Sequence, residues 1–355
     1  VPQIFFFFFF ISIMEESGYI SRVVYLFDFW MRKFGLNGRS TIALISGGAC
    51  AIPAIMSTRT ISNWKERLIT ILVTPMISCS ARLPVYSLLI VFIIPANLYF
   101  GIVNARGLAF LGIYIFSTLA ALFAAFVLSK IIKSKEKSQL MLELPNYRMP
   151  IAKNVAFNVW DKVKAFITEA GKVIFLISIA LWFLTSYGPE KRREAALEAY
   201  KTEVKTNPTL VQHQSESSVL LENSFAGIAG QYIEPVIKPL GFDWKIGISL
   251  ITSFAAREVF VGTLATIYSS QDDDEDTERL SVLLSKQVNP QTGQKIFNVA
   301  TSASLIMFYM FALQCLSTVA VVKKETNGWK WPIIQLVGYT ALAYIVSLIT
   351  FQILS

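Results

Sequence analysis

Cys50, Cys79 and Cys315 are the chain's three thiols, each set in apolar sequence, and Glu258 is an acid at the centre of another apolar stretch. Thiolate sulfur suits borderline and soft divalent ions such as Fe(II) and Zn(II), while a carboxylate adds charge compensation. No two cysteines are close in sequence, so spacing encodes neither a CxxC zinc site nor a redox pair, and any site must assemble from different segments. Core packing competes with ligation for each cysteine, because a free cysteine behaves as a small buried hydrophobe. Glu258 differs: in apolar surroundings it needs Arg257, a backbone donor, water or an ion beside it. Met56, Met76 and the pair Glu15 and Glu16 are secondary candidates. The serines and threonines near these positions (Ser12, Ser46, Ser78, Ser80, Thr318) read as helix-interface residues.

The segments that must position these groups are irregular. Thr41 to Thr60, TIALISGGACAIPAIMSTRT, is apolar, yet Gly47 and Gly48 weaken a helix and Pro53 removes a donor while disfavouring helix at Ile52. Bare backbone at bilayer depth is tolerated only inside protein or along a wet cavity. A proline kink with a buried cysteine and an ion path lined by half-helix ends and freed carbonyls both fit this stretch. Leu68 to Ile94 carries Pro75, Cys79, Arg82 and Pro84, which again argues for disrupted backbone facing the protein interior. If that segment is helical, Met76 and Cys79 share a face. In Trp244 to Ser270, Arg257 and Glu258 sit centrally, with Gly262 one turn beyond.

Composition sets the class. Of 355 residues, 54% are hydrophobic and 16% charged, mean hydropathy is +0.52, and several runs exceed the roughly 20 apolar residues needed to cross a bilayer. A polytopic all-α membrane protein follows. The formal net charge of +8 comes from basic residues flanking spans, which fits orientation by positive-inside loops and excludes a nucleic-acid partner. Three cysteines imply no disulfide framework. The single histidine, His213, reads as a solvated loop residue. No P-loop, HExxH or G-x-S-x-G occurs, so no catalytic motif is visible and no enzyme is expected. Val1-Pro2 opens without an initiator methionine or signal-peptide pattern, so the chain is expected to be a fragment cut inside a membrane region.

In order, the spans are expected at Gln3 to Met31, interrupted by Glu15-Glu16-Ser17-Gly18; at Leu68 to Ile94; at Gly107 to Ile131, with a lysine-rich cytoplasmic end; at Val173 to Ser186; at Asn298 to Val322, carrying Gln314 and Cys315; and at Trp331 to Leu354. Residues 1–131 form a first gate repeat and 132–168 a cytoplasmic linker with an interfacial amphipathic helix bearing Lys153, Lys162 and Lys164. Residues 169–355 form a second repeat with an extramembrane insertion at 189–243. Each repeat holds a broken or re-entrant element, and opposite starting sides would make the two an inverted pair. The acidic run DDDEDTE at 272–278 reads as a solvated loop.

Seven stretches, MEESGYISRVVYLFDFWMRKFGLNGRS, GGACAIPAIMSTRT, RLITILVTPMISCSARLPVYSLL, LELPNYRMP, GKVI, FAAREVFVGTLATIY and CLSTVAVVKKETNGWKW, occur in an order that resembles the membrane domain of the FeoB ferrous-iron transporter family. The resemblance covers nearly the whole chain. It implies two gate regions, a path lined by Cys50, Cys79 and Cys315 with Glu258 in the second gate, and gate backbone at Gly47, Gly48, Pro53, Pro75, Pro84 and Gly262. It also implies Fe(II) as substrate in the bacterial cytoplasmic membrane and no cofactor in this chain, with GTP and Mg on the family's GTPase domain. As partners it implies that domain or a separate G-protein chain, a small FeoA-type protein, the bilayer and a further copy in a homo-oligomer. Two departures stand out: the family's GTPase domain, helical regulatory part and first membrane helix have no counterpart here, and Ala49 and Ala51 flank Cys50 where FGCNVP is typical. Rival readings are transport of another divalent metal or a nucleoside-like solute, and a membrane thiol oxidoreductase.

Overall fold

The computed structural model describes residues 2–94, 98–99, 103–132, 147–189, 192–198, 219–220, 223–254, 257, 259–268, 281, 284, 296–313 and 315–355. Fifteen named helices occur among them: α1 (Pro2–Glu16), α2 (Tyr19–Lys33), α3 (Ser40–Gly47), α4 (Ala51–Ser57), α5 (Trp64–Val73), α6 (Leu83–Ile93), α7 (Ala105–Ile131), α8 (Ala152–Phe166), α9 (Lys172–Ser186), α10 (Phe225–Ile237), α11 (Trp244–Ser253), α12 (Val259–Tyr268), α13 (Val299–Phe311), α14 (Leu316–Thr326) and α15 (Lys330–Leu354). Two antiparallel strands of two residues each, Leu98–Tyr99 and Val103–Asn104, pair with Leu98 opposite Asn104 before α7. His213, Gln314, the 272–278 acidic run and Glu258 lie outside the described residues.

The chain is an all-α, multi-pass membrane protein. Among the described residues four helical runs are long and apolar enough to cross a bilayer: Trp64–Ile93, Ala105–Ile131, Val299–Thr326 and Lys330–Leu354. They fall into two kinds. The runs through Trp64–Ile93 and Val299–Thr326 are broken, and their most apolar windows are 56% and 71% buried, whereas Ala105–Ile131 and Lys330–Leu354 are continuous and only 17% buried. This sorting follows from the medium. An unpaired amide facing hydrocarbon costs several kcal/mol, so interrupted backbone has to be wrapped in protein while intact helices can face lipid.

The chain forms two compact units: 1–81 with 112–173 and 316–339, and 82–111 with 174–315 and 340–355. In the first unit the expected span over Gln3–Met31 is two helices. Gly18, at φ +80, takes the left-handed conformation that glycine adopts without strain, and it separates α1 from α2. The linker helix α8 lies along α1, closing a small core of Phe8, Val155 and Val159. The two acids of α1 bind this helix: Lys162 Nζ to Glu15 Oε2 at 2.9 Å and Asn154 Nδ2 to Glu16 Oε1 at 2.9 Å. Lys162, expected on an interfacial helix, is thus paired within the protein. A π-helical turn, Ile167–Gly171, joins α8 to the 15-residue α9, which alone rises only about 22 Å and is shorter than a full span.

In the second unit α10, the apolar part of the expected insertion, packs on α11. Gly230 permits the approach, since a Cβ there would meet Ile248 Cγ1 at 2.6 Å and the Trp244 carbonyl at 3.2 Å. Asp243 caps α11 by accepting from the Ile246 amide at 2.9 Å, and burial pushes its carboxyl above the ordinary aspartate range. α13 is tied to α15 by the hydroxyls of Ser304 and Ser347, 2.6 Å apart and fully buried.

Candidate functional site

The first break lies between α3 and α4. Ala49 and Cys50 both donate their amides to the Ser46 carbonyl at 3.1 Å, closing the end of α3, and Cys50 then runs extended at φ −155°, ψ 133° into the first turn of α4. Pro53 is the third residue of α4, where an amide would have had no partner within the helix anyway. The interruption therefore sits at Gly48–Cys50, and the proline belongs to the helix that restarts after it. Gly47 has a separate role. A Cβ there would stand 3.1 Å from Thr74 Cγ2, so its small size lets α3 approach the second break.

That second break runs from Thr74 to Arg82. A 3₁₀ turn carrying Pro75 and Met76 ends α5, Ile77 is extended, and a further 3₁₀ turn, Ser80–Arg82, leads into α6, with Pro84 in its first turn. Met76 and Cys79 are 3% and 7% exposed. They do not share a helix face, because no helix runs through both; the face argument from sequence is replaced by an irregular segment.

The two breaks are stitched together. The Ser80 amide donates to the Gly48 carbonyl at 3.1 Å, and Ser80 Oγ donates to the Ala49 carbonyl at 3.0 Å. Carbonyls released where α3 stops are thereby satisfied by the residue that follows Cys79, as buried polar backbone requires. Both bonds join residues just before Cys50 to the residue after Cys79, so two irregular segments about 30 residues apart in sequence adjoin each other. None of the three cysteines is in a disulfide. Ser78 is held from the other side, its amide donating to Ser117 Oγ on α7 at 3.2 Å.

In the second unit α11 ends at Ser253 and α12 begins at Val259, with Phe254 and Arg257 in turns between them. Thr252 and Thr263 bridge the two helices with hydroxyls 2.9 Å apart. Arg257 is 5% exposed. Gly262 is exposed, with nothing within 4 Å of a Cβ placed on it. Cys315 was expected within a continuous span. Instead α13 ends at Phe311, Ala312 is extended at ψ 137°, and Cys315 is half-buried immediately before α14. The interruption before α14 contains neither proline nor glycine, which is why the sequence did not announce it.

Arg82 is the residue whose part the sequence under-read. Its side chain is fully buried, and its guanidinium donates to the Met310 carbonyl at 3.1 Å and the Ala312 carbonyl at 3.4 Å, the last acceptors of α13. A fixed cation at a helix C-terminus satisfies orphan carbonyls and complements the macrodipole. The available signal was an arginine inside an apolar run, whose partner had to be backbone or an acid.

The Gate family model, described as nucleoside recognition, matches residues 1–93 and 167–329. The model for the ferrous iron transport protein B C terminus matches residues 110–162. Among similar curated proteins, an Fe(2+) transporter FeoB of Leptospira interrogans is 44% identical over 99% of this chain and 48% of that protein. The Fe(2+) transporter FeoB of Helicobacter pylori is 34% identical over 99% of the chain and 54% of its own length. An Fe(2+) transport protein A/Fe(2+) transporter FeoB fusion protein of Porphyromonas gingivalis is 37% identical over 99% of the chain and 42% of its length. No solved structure matches significantly. The chain spans about half the length of these relatives. Matched by both the Gate and the C-terminal models and aligned to these transporters along nearly all its residues, the chain belongs to the FeoB family.

Proposed function

We propose that this chain is the membrane permease portion of a nucleotide-dependent Fe(II) uptake system in a bacterial cytoplasmic membrane. The observation that carries the reading is the stitch between the breaks, which holds Cys50 and Cys79 in adjoining irregular segments inside the first unit. A transported ion must exchange its hydration shell for ligands and then leave. Thiolates from two segments, with neighbouring carbonyls and the Met76 thioether, give a soft and incomplete set of that kind. Among the described residues no three of His, Cys, Asp and Glu cluster as a cage, so the site as described does not trap the ion as a structural metal site would. Cys315 and Glu258 would serve the later breaks. The membrane potential supplies about 4.6 kcal/mol per 100 mV for a doubly charged ion moving inward.

GTP and Mg would act on a G-protein domain or chain that biases the broken helices between two arrangements. The name of the Porphyromonas fusion supports a small FeoA-type partner. A second reading, passage of a nucleoside-like solute, is favoured only by the description of the Gate model. Fe(II) uptake into cells under reducing conditions, at matched membrane abundance, separates the two. Cys50→Ser and Cys79→Ser are expected to abolish uptake of Fe(II); undiminished uptake in both would remove the thiols from the path.

A further inference from the structure

A cavity of about 360 Å³ adjoins the first break within the first unit. Its inner wall is built from the half-helices on either side of Cys50, with Ser46 from α3 and Pro53 and Met56 from α4, and its charged lining comes from Glu15 on α1, Asp161 and Lys162 on α8, and Arg59. The Arg59 charge is committed elsewhere, because its guanidinium donates to Glu325 at 2.5 and 2.9 Å. What remains is two carboxylates and one ammonium, and the ammonium sits on Glu15 at 2.9 Å.

We infer that this cavity is a vestibule for a divalent cation, in which the Lys162 ammonium is a tethered placeholder that an incoming ion displaces from Glu15. The inference rests on the transport reading above and adds to it a binding step that needs no thiol. The Glu15–Lys162 pair is suited to exchange because its side chains are 57% and 37% exposed, and exposed ion pairs are weak. A doubly charged ion gains about twice the Coulomb attraction of an ammonium at the same distance and can share Asp161 as well. Carboxylate, hydroxyl and water oxygens suit a largely hydrated Fe(II) or Mn(II). The Met56 thioether and the Ser46 hydroxyl also line the cavity, on the two half-helices that flank Cys50. The lining is mostly apolar, and the carboxylates and hydroxyls within it are the groups that would hold the waters accompanying the ion in a space of this size.

The test is Mn(II) binding to the purified protein in detergent, followed by loss of the free-ion EPR signal, in parallel with Fe(II) uptake in cells. Glu15→Gln and Asp161→Asn are each expected to weaken Mn(II) binding tenfold or more, Lys162→Met to strengthen it several-fold, and Lys153→Met, at an exposed lysine of the same helix outside the cavity lining, to leave it unchanged. Absence of Mn(II) binding up to about 1 mM in the parent protein, binding as tight as the parent's in both acid variants, or weaker binding in Lys162→Met overturns the vestibule. If Mn(II) binding responds as expected while Cys50→Ser transports Fe(II) normally, the thiol path fails and the vestibule stands; the opposite pattern removes the vestibule alone.

Discussion

Glu325, near the end of α14, is 3% exposed at its side chain and accepts from two arginines: Arg59 (2.5 and 2.9 Å), which follows α4, and Arg67 (2.6 Å) on α5. The triad fastens α14 to the helices that flank the first break. Replacing Glu325 by Gln removes the charge while keeping size and one acceptor. Breaking a fully buried ion pair costs about 3–5 kcal/mol because an uncompensated charge stays behind. Here the charges left behind are partly wet, with Arg59 47% and Arg67 24% exposed at the side chain. The discount for solvent screening brings the expected loss for Glu325→Gln to about 2–3 kcal/mol. The same exposures rank the partners: coupling of Glu325 to Arg67 should be about 1–2 kcal/mol and to Arg59 about 0.5–1 kcal/mol. A double-mutant cycle of Glu325→Gln with Arg67→Met and Arg59→Met, read by reversible unfolding in mixed detergent–SDS micelles, measures all of these. A cost under about 0.5 kcal/mol for Glu325→Gln, or stronger coupling to the more exposed Arg59 than to Arg67, would show that the triad does not fasten α14 to these helices.

Other perturbations test separate links. Arg82→Met should destabilise by about 2–4 kcal/mol in the same unfolding assay, because the Met310 and Ala312 carbonyls lose a buried donor; a change under about 0.5 kcal/mol would show that the α13 terminus does not depend on it. Gly230→Ala should cost about 1–3 kcal/mol through overpacking against Ile248 and the Trp244 carbonyl, unless α10 can shift away. Asp243 has its carboxyl raised by burial, so the folded state holds the proton more tightly than the unfolded state. Its contribution to stability is then largest below the ordinary aspartate pKa and is lost as pH rises through the raised folded value. Asp243→Asn should flatten that dependence while keeping the helix cap, whereas Asp243→Ala should lose the cap at every pH, about 0.5–2 kcal/mol; equal pH dependence in parent and Asn variant would overturn the assignment.

Much of this architecture was legible in the chain. Apolar run length fixed the membrane class, and the uninterrupted stretch Gly107 to Ile131 is one helix because nothing in it competes with the i to i−4 ladder. Glycine and proline pointed to the breaks within Gly47–Pro53 and Thr74–Pro84, since these residues act through their own backbone and need no partner to be read. The order of seven motifs gave the family. What the chain order could not supply was partnership. Cys315 lies in a break without proline or glycine, set by what α13 meets, and Arg82 is meaningful only once the end of α13 is known to face it. Glu15 and Lys162 lie 147 residues apart, and Glu325 and Arg59 266 residues apart. Local propensity decides where a helix can stop; which charge, hydroxyl or carbonyl waits opposite the stop depends on contacts between segments distant in the chain, and only the tertiary structure brings them together.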